Sequence, residues 1–376
     1  MDMTLADVQK SVKRRQVLVV VALAGALLHP GCADSGTDAP DVLGQLTLGE
    51  ALVRVGSDQS YGFHNVVNVM EDRHGRLIVV QLSNPEIPVF DAQGQLLTVL
   101  GGSGSGPGEF SYPGSIGTLG DSIWITDPRL RKAVLYGPDL VHVRDVVPEA
   151  RGVNVAALGP ADRMLAYTSS GDRSEWFAVD GSNQRLLLAV EYGQALARFE
   201  FEGRHVTLLN PFQNVNLVIS VPGSLELVAL NATTPHIEML HVGWNGDTLR
   251  NARLPVVAQD VTSSWYQELI APFLESMSTP ANADELRITV EAALPRPATA
   301  HILTRLSVGP DRTLWFGQRR QSSRRWHAVD IDAGAYLGYL DLTGRDEVTT
   351  GTSVYVWILE HDANDVQSLV KRPLIR

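Results

Sequence analysis

The chain has 376 residues, of which 44% are hydrophobic and 19% are charged, and its formal net charge is −11. This composition is that of a folded globular protein and excludes a largely disordered chain. The acidic balance repels polyanions, so we expect no nucleic-acid partner. Cys32 is the only cysteine, which excludes an intramolecular disulfide.

The first 31 residues have the pattern of an export signal. A basic stretch at 13–15 (KRR) precedes an apolar run at 17–28. About a dozen apolar residues are too few to span a bilayer comfortably and are typical of a signal peptide. The stretch KRRQVLVV is also similar in part to a twin-arginine signal. We therefore predict a signal peptide over 1–31 and an exported protein.

The segment LLHPGCADSGTDAP follows, and its cysteine comes directly after a small residue. This arrangement resembles the lipobox of bacterial lipoproteins, in which the cysteine sulfur carries a diacylglycerol. The family has Leu three residues before the cysteine, whereas here His29 holds that place and Leu28 stands one residue earlier. The resemblance implies lipidation of Cys32, a tether over 32–42 and a membrane anchor. The alternative is a soluble exported protein with an incidental cysteine.

From residue 43 the chain repeats a strand pattern. Each unit reads as a turn, a short apolar strand, a polar loop and a second strand, and most units continue with a turn and a third strand. An apolar segment precedes most units, as at 66–70, 115–119 and 302–308. Four strands per unit and a spacing of about 40–46 residues between most units are typical of propeller blades. The units begin at Gly75, Asp121, Asp162, Gly223, Asp311 and Thr352.

The two ends of the chain complement each other. The last unit lacks a clear fourth strand, while LGQLTLGEALVRVG (43–56) precedes the first unit and has no partner of its own. Pairing the two closes the ring with strands from both termini and leaves no sheet edge open there. We therefore predict an all-β fold over 43–376, a six-bladed β-propeller of four-stranded blades.

Units one and two also resemble the NHL-type six-bladed propellers. The residues that carry this resemblance are IPVFDAQGQLLTVLGGSGSGPGEFSYPGSI (87–116) and IWITDPRLRKAVLY (123–136). It is strong over 66–147, and elsewhere only the spacing of the blades remains. The resemblance implies the fold but no particular substrate, because propellers host many functions.

The stretch GGSGSGPGEF (101–110) raises the question of a phosphate-binding loop. A P-loop needs Lys and then Ser or Thr after its second glycine, but Pro107 stands where the lysine must be. No G-x-G-x-x-G register fits, and EFSYPGSI follows instead of a helix, so no helix dipole would hold a phosphate. We predict that these glycines turn the chain from the outer strand of one blade to the inner strand of the next.

Residues 260–298 interrupt the strand pattern. In TSSWYQELIAPFLESMS, apolar side chains recur at helical spacing and predict an amphipathic helix with Pro272 inside it. Ser264 and Gln267 have the spacing of a capping box. The stretch ADELRITVEAAL fits either a second short helix or a strand. We interpret this helical insertion as a decorated loop packed on the rim, and the alternative is a lid over one propeller face.

The sequence has no signature of a hydrolase or of a paired-cysteine metal site. Propeller enzymes gather single residues from several blades at the mouth of the channel, where the loops between strands two and three meet. A lactonase- or lyase-like member would place a Ca²⁺ or Zn²⁺ there; no cofactor is predicted otherwise. The alternative for the aspartate at position 127 is that it only caps its own turn. The candidate metal ligands are Asn84, Glu86, Asp127, Asp172 and His301.

Basic residues gather in two of these loops, on an otherwise acidic chain. Guanidinium groups suit carboxylates and phosphates, which predicts an anion- or partner-binding face. The alternative is that they are solvated charges paired with local acids such as Glu175. The basic residues are Arg129, Arg131 and Lys132 in one loop and Arg319, Arg320, Arg324 and Arg325 in the other.

These features together predict an exported, lipid-anchored propeller that serves as a binding or scaffolding module in the bacterial cell envelope. Its expected partners are the membrane, through the anchor, and an envelope protein or an anionic ligand. The alternative is a metal-dependent propeller hydrolase or lyase with its site in the central channel. A sensor or an assembly component of an envelope complex is a third hypothesis. We expect a binding protein rather than an enzyme.

Overall fold

Six antiparallel sheets stand as blades around a central channel in a computed structural model of the protein. The predicted signal peptide, Cys32 and the tether lie outside the described residues. The six-bladed propeller predicted from the sequence is confirmed. The structure describes residues 44–56, 62–82, 84–170, 173–191, 196–212, 217–232, 235–279 and 281–376.

The chain begins with two short strands, β1 (Thr47–Leu48) and β2 (Val53–Val55), and then builds the blades in order. In each blade the first strand lies innermost and the fourth outermost. Blades one to three consist of β3 (Val66–Glu71), β4 (Leu77–Gln81), β5 (Glu86–Phe90) and β6 (Leu96–Gly101); β7 (Ile116–Leu119), β8 (Ser122–Asp127), β9 (Lys132–Tyr136) and β10 (His142–Val146); and β11 (Asn154–Leu158), β12 (Met164–Ser170), β13 (Arg173–Asp180) and β14 (Asn183–Glu191).

One insertion precedes blade four, and a second separates blade four from blade five. Blade six has three strands of its own and takes its outer strand from the start of the chain. Blades four to six consist of β17 (Leu217–Ser220), β18 (Leu227–Asn231), β19 (His236–Val242) and β20 (Thr248–Val257); β23 (Leu303–Val308), β24 (Thr313–Arg319), β25 (Arg324–Asp330) and β26 (Ala335–Leu342); and β27 (Glu347–Gly351), β28 (Tyr355–His361) and β29 (Gln367–Ile375).

The hydrophobic core lies between neighbouring blades. The second strands are buried on both faces, as in β4, whose sequence LIVVQ is buried throughout, and a continuous apolar run is the pattern of such a strand. Trp124 and Trp315 fill gaps between blades and are almost inaccessible to solvent. Five apolar clusters follow one another around the ring. They join blade one to blade two, blades two, three and four to one another, blade four to five, blade five to six, and blade six to one. The ring is therefore held together by side-to-side packing.

The ring closes where the two ends of the chain meet. Strand β2 pairs antiparallel with β29, with Val55 opposite Leu369, and β1 pairs with the end of the same strand. Across this seam, the Glu71 carboxylate of blade one accepts hydrogen bonds from Lys371 Nζ at 2.8 Å and from Trp357 Nε1 at 2.7 Å. The predicted closure by strands from both termini is therefore confirmed.

The glycine-rich stretch is a folded turn between blades one and two. Gly101 has a φ of +82°, in the left-handed region that favours glycine. Phe110 N–H donates to Gly102 O at 2.8 Å, and Gly106 N–H donates to the Glu109 carboxylate at 2.8 Å. These hydrogen bonds hold the loop in a defined turn, and its glycines serve the connection between blades that the sequence predicts.

Gly101→Ala should destabilise the protein by about 3 kcal/mol, because the new methyl group combines an unfavourable φ with two clashes. A Cβ at this position would lie 2.7 Å from the Phe110 ring and 2.7 Å from Pro85 O. Urea unfolding measures the loss. Gly102→Ala is the matched control, since nothing lies within 4 Å of a Cβ there. Equal stability of the two variants would contradict this account of the turn.

Two insertions flank blade four. The first is a β-hairpin of β15 (Leu196–Phe201) and β16 (Arg204–Leu209). The second contains helices α1 (Ser263–Met277) and α2 (Ala283–Ala293), framed by β21 (Gln259–Asp260) and β22 (Thr299–Ala300). In the described part of the chain, no helix is long and apolar enough to cross a bilayer.

The hairpin and the helices share one hydrophobic core, so we call them together the cap. Phe212, which follows the hairpin, stacks on Tyr266 of α1 with ring centroids 5.5 Å apart, and the Asn282 side chain donates to Glu202 in the hairpin turn at 2.8 Å. The cluster includes Phe201, Trp265 and Leu286, which are almost fully buried. The sequence interpretation of a lone decorated loop missed this hairpin, which gives the helices their own packing surface.

The start of α1 also differs from expectation. Thr262 is the N-cap, and its hydroxyl accepts from Trp265 N–H at 3.2 Å. The predicted capping box of Ser264 and Gln267 is therefore wrong by two residues, because Ser264 already lies within the first turn. The second stretch, which fitted a helix or a strand, is a helix.

Candidate functional site

Alternation of antiparallel strands places two sets of loops at the same end of the propeller. These are the loops between strands two and three of each blade and the connections from one blade to the next. We call this end the loop face. Both insertions of the cap leave the ring here, and so do both basic loops predicted from the sequence. The opposite face carries the short turns between strands one and two and between strands three and four.

The central channel holds a small cavity of about 60 Å³ whose polar lining includes Asn68, Ser115, Ser307 and Thr349. Asn68 Nδ2 donates to Gly114 O at 3.0 Å, and Thr349 Oγ1 donates to Trp357 O at 3.1 Å. Such a volume holds a few water molecules, since one water takes about 30 Å³ in the liquid. This cavity is therefore too small for a ligand of more than a few atoms.

The candidate metal ligands do not come together. Asp127 is buried and accepts three backbone N–H groups: Leu130 at 2.8 Å in its own turn, and Ser111 at 2.7 Å and Tyr112 at 2.9 Å in the preceding loop. Its carboxylate oxygens are thus engaged in holding two segments of backbone. Within the described ranges, no group of three or more His, Cys, Asp or Glu residues could hold a metal ion.

The other candidates that the structure describes make separate local contacts. Asn84 Oδ1 accepts from Glu86 N–H at 3.0 Å beside β5, so these two residues form a local turn of blade one. His301 is 1% exposed between blades four and five, and its Nε2 lies 3.2 Å from Pro235 O. Asp172 is outside the described residues.

The basic loop of blade two divides into buried and exposed charges. Lys132 is buried, and its Nζ donates to Asp145 at 2.6 Å and to Gly106 O at 2.9 Å. Burial raises the pKa of the Asp145 carboxyl, but hydrogen bonds from Lys132, Gly108 and His142 outweigh it and hold that pKa below its ordinary value. Arg129 and Arg131 are exposed. They are the charges of this loop that face solvent.

The basic loop of blade five is largely paired within the protein. Arg319 lies 3.1 Å from Glu268 on α1, and Arg324 pairs with Glu347. Arg325 makes two hydrogen bonds of 2.8 Å to Asp341, and its guanidinium lies 3.6 Å from the centre of the Tyr339 ring. These three side chains therefore hold the cap and the adjoining strands together.

Arg320 is the remaining basic residue of that loop. It is half-buried, and its side chain has no ion pair within the described part of the chain. Blades two and five stand three blades apart in either direction around the ring, so the two basic loops share the loop face without forming one cluster. An anion- or partner-binding role for them stays a prediction.

Sequence reasoning missed Arg305, which lies on the innermost strand β23. Its Nη2 donates to Val66 O at 2.5 Å and to Val67 O at 2.8 Å, and its Nη1 lies 3.5 Å from the Glu347 carboxylate. The side chain is 17% exposed and ties blades five, six and one together at the loop-face end of the channel. The sequence could have indicated this residue, because Arg305 is the one charged residue in the otherwise largely apolar stretch ILTRLSV (302–308).

A second polar network lies inside blade five. His327 is 3% exposed; its Nδ1 lies 2.7 Å from Tyr336 Oη, and its ring stacks on Phe316. Burial, followed by the nearby charges of Arg325 and Arg320, lowers the pKa of His327 to about 3. The imidazole is therefore neutral at physiological pH and has a structural role.

An open cavity of about 440 Å³ lies on the loop face beside the glycine-rich turn. We call it the glycine–serine pocket. It opens widely to solvent. It is lined by Ser103, Gly104, Ser105, Ser111, Arg129 and Leu130.

No family model and no curated protein matches the chain. Many solved structures are similar in fold, among them the following three. A "putative exported protein" of Bacteroides fragilis is 13% identical, with 90% of this chain and 98% of that chain covered and a TM-score of 0.49. Virginiamycin B lyase of Staphylococcus aureus is 10% identical (88% and 100% covered, TM-score 0.45), and a luciferin-regenerating enzyme is 9% identical (85% and 94% covered, TM-score 0.43). At sequence identities and TM-scores this low, the similarity says nothing about the function of this chain.

Proposed function

We propose that this chain is an exported, lipid-anchored propeller of the NHL type that binds an envelope protein or an anionic ligand through its loop face. The signal-peptide pattern and the cysteine at position 32 support export and anchoring. The main support for a binding role is the cap. Its two insertions leave the ring on the same face, flank blade four and bury their apolar side chains against one another.

The cap adds surface that the propeller does not need for closure. The ring closes through β2 and β29, far along the chain from either insertion. Trp265 and Leu286 are buried within the cap, whereas Ile288 of α2 is 70% exposed. Ile288 therefore gives the cap an accessible position at which contact with a partner can be detected. The small cavity in the channel agrees with a ligand that binds at the surface of the propeller.

The anchor is tested by fatty-acid labelling of the full chain in a bacterial host. We expect an alkyne fatty acid to label the wild type, and we expect the labelled protein to sediment with membranes. Cys32→Ala should lose both the label and the sedimentation, because it removes the acceptor sulfur. Ser35→Ala is the control in the same segment. Membrane sedimentation of the Cys32→Ala variant would contradict lipid anchoring.

The binding face is tested by site-specific photo-crosslinking in the same cells. A photoreactive side chain at Ile288 should yield a discrete adduct with an envelope component. The same group at Val354, which is 61% exposed on the opposite face, should yield none. Arg320→Ala should weaken the adduct if the basic loop of blade five contributes. Equal adducts from both positions would show random collision and would overturn the proposal.

A further inference from the structure

We infer that the glycine–serine pocket binds the oxyanion group of a small polar molecule. This inference rests on the proposal that the loop face is the binding face, and it adds a site and a ligand chemistry. The pocket is separate from the cap: the cap flanks blade four, whereas the pocket lies between blades one and two.

The lining carries hydrogen-bond donors and one positive charge. Ser103, Ser105 and Ser111 supply hydroxyl groups, Arg129 supplies a guanidinium, and none of the lining residues is acidic. Arg129 has no ion pair within the described residues, although the chain has 42 acidic residues against 31 basic ones. Lys132, three residues away, is buried against Asp145. The nearby Glu109 carboxylate accepts from Gly106 N–H at 2.8 Å and is not among the lining residues. An unpaired guanidinium beside hydroxyl donors is suited to an anion.

The two walls of the pocket are held in place by the same buried carboxylate. Asp127 accepts from Ser111 N–H at 2.7 Å in one wall and from Leu130 N–H, next to Arg129, at 2.8 Å in the other. The glycine turn is braced separately, because the Glu109 carboxylate accepts from Gly106 N–H and Lys132 donates to Gly106 O. A site whose backbone is already ordered loses less entropy when a ligand binds.

The chemistry of the lining defines the ligand class. A guanidinium fork recognises the paired oxygens of a carboxylate, a sulfate or a phosphate. The serine hydroxyls favour a ligand whose remaining body is itself hydroxylated, while Leu130 offers little apolar surface. The shared feature is therefore an oxyanion, either free or carried on a sugar-like molecule.

The test is calorimetric titration of the purified full-length protein with inorganic phosphate, sulfate, glucuronate and glucose, up to about 20 mM. We expect at least one of the three anions to bind and glucose not to bind. Phosphate or sulfate without glucuronate indicates a free inorganic anion, whereas glucuronate alone indicates a sugar acid. Arg129→Met should weaken binding about tenfold or more, the loss expected for a hydrogen bond to a charged group. Arg131→Met is the matched control, since Arg131 is exposed in the same turn but does not line the pocket.

Three results would overturn the inference: no binding of any anion, equal binding of glucose and glucuronate, or equal losses in the Arg129 and Arg131 variants. Both side chains are exposed, so circular dichroism should show both variants folded. The measurement needs neither membrane nor partner. A failure here is thus distinct from a failure of the labelling or crosslinking experiments.

Discussion

Val55→Asp is expected to destabilise the protein by about 4 kcal/mol, because it places a carboxylate inside the seam that closes the ring. Val55 is 3% exposed and packs in one cluster with Phe63, Trp357 and Leu369. It also lies opposite Leu369 in the pairing of β2 with β29. A charge at this position both removes apolar packing and opposes the pairing of the two ends of the chain.

Urea unfolding followed by tryptophan fluorescence measures this loss. Leu52→Asp is the control, because Leu52 belongs to the same segment but is 61% exposed. We expect the control to change stability by less than about 0.5 kcal/mol, as surface substitutions usually do. If both variants were equally stable, the N-terminal strand would contribute nothing to closure.

The second expected result is a loss of about 2 kcal/mol of stability between pH 6.5 and pH 5, caused by His327. The folded pKa of this imidazole is about 3, below its ordinary value of 6.5. In that interval the unfolded chain takes up a proton that the folded chain excludes. Stability is therefore fully present above pH 6.5 and is lost as the pH falls from 6.5 to 3, by about 1.4 kcal/mol per pH unit.

His327→Gln should remove this slope, since glutamine does not titrate and can still bond the Tyr336 hydroxyl. The comparison is made between slopes, so a uniform loss of stability in the variant does not affect it. His74→Gln serves as the control, because His74 is exposed. The free energy of unfolding of each protein is measured at pH 5, 5.5, 6 and 6.5, and its slope against pH is compared with that of the wild type. An unchanged slope in His327→Gln would show that this histidine titrates normally. We choose this window because it lies between the two pKa values.

The blade count and the ring closure were predictable because both depend on local patterns. Second strands such as β4 and β8 appear as short apolar runs between turn residues, and the unpaired segment 43–56 matches the strand missing from blade six. The turn at 101–110 was predictable for the same reason: glycine and proline act on the backbone of their own segment. Helix α1 was evident from its apolar face.

The candidate site depended on neighbours that no local pattern contains. Arg325 and Asp341 meet across two strands, Arg319 meets Glu268 of the cap, and Lys132 meets Asp145. The sequence treated all the loop cations as equivalent, but the structure separates paired from exposed ones, because pairing depends on which acid comes within a few ångströms after folding. The core shared by the hairpin and the helices likewise depends on contacts that form only after folding.

The sequence by itself determined how many blades there are, where their strands turn and how the ends pair, since these follow from periodicity and backbone preference. Only the tertiary structure decided that the cavity in the channel is small, that Asp127 joins two loops and that Arg129 lines an open pocket. Distances between blades are set by side-chain packing around the whole ring. The strand pattern of a single blade therefore does not contain them.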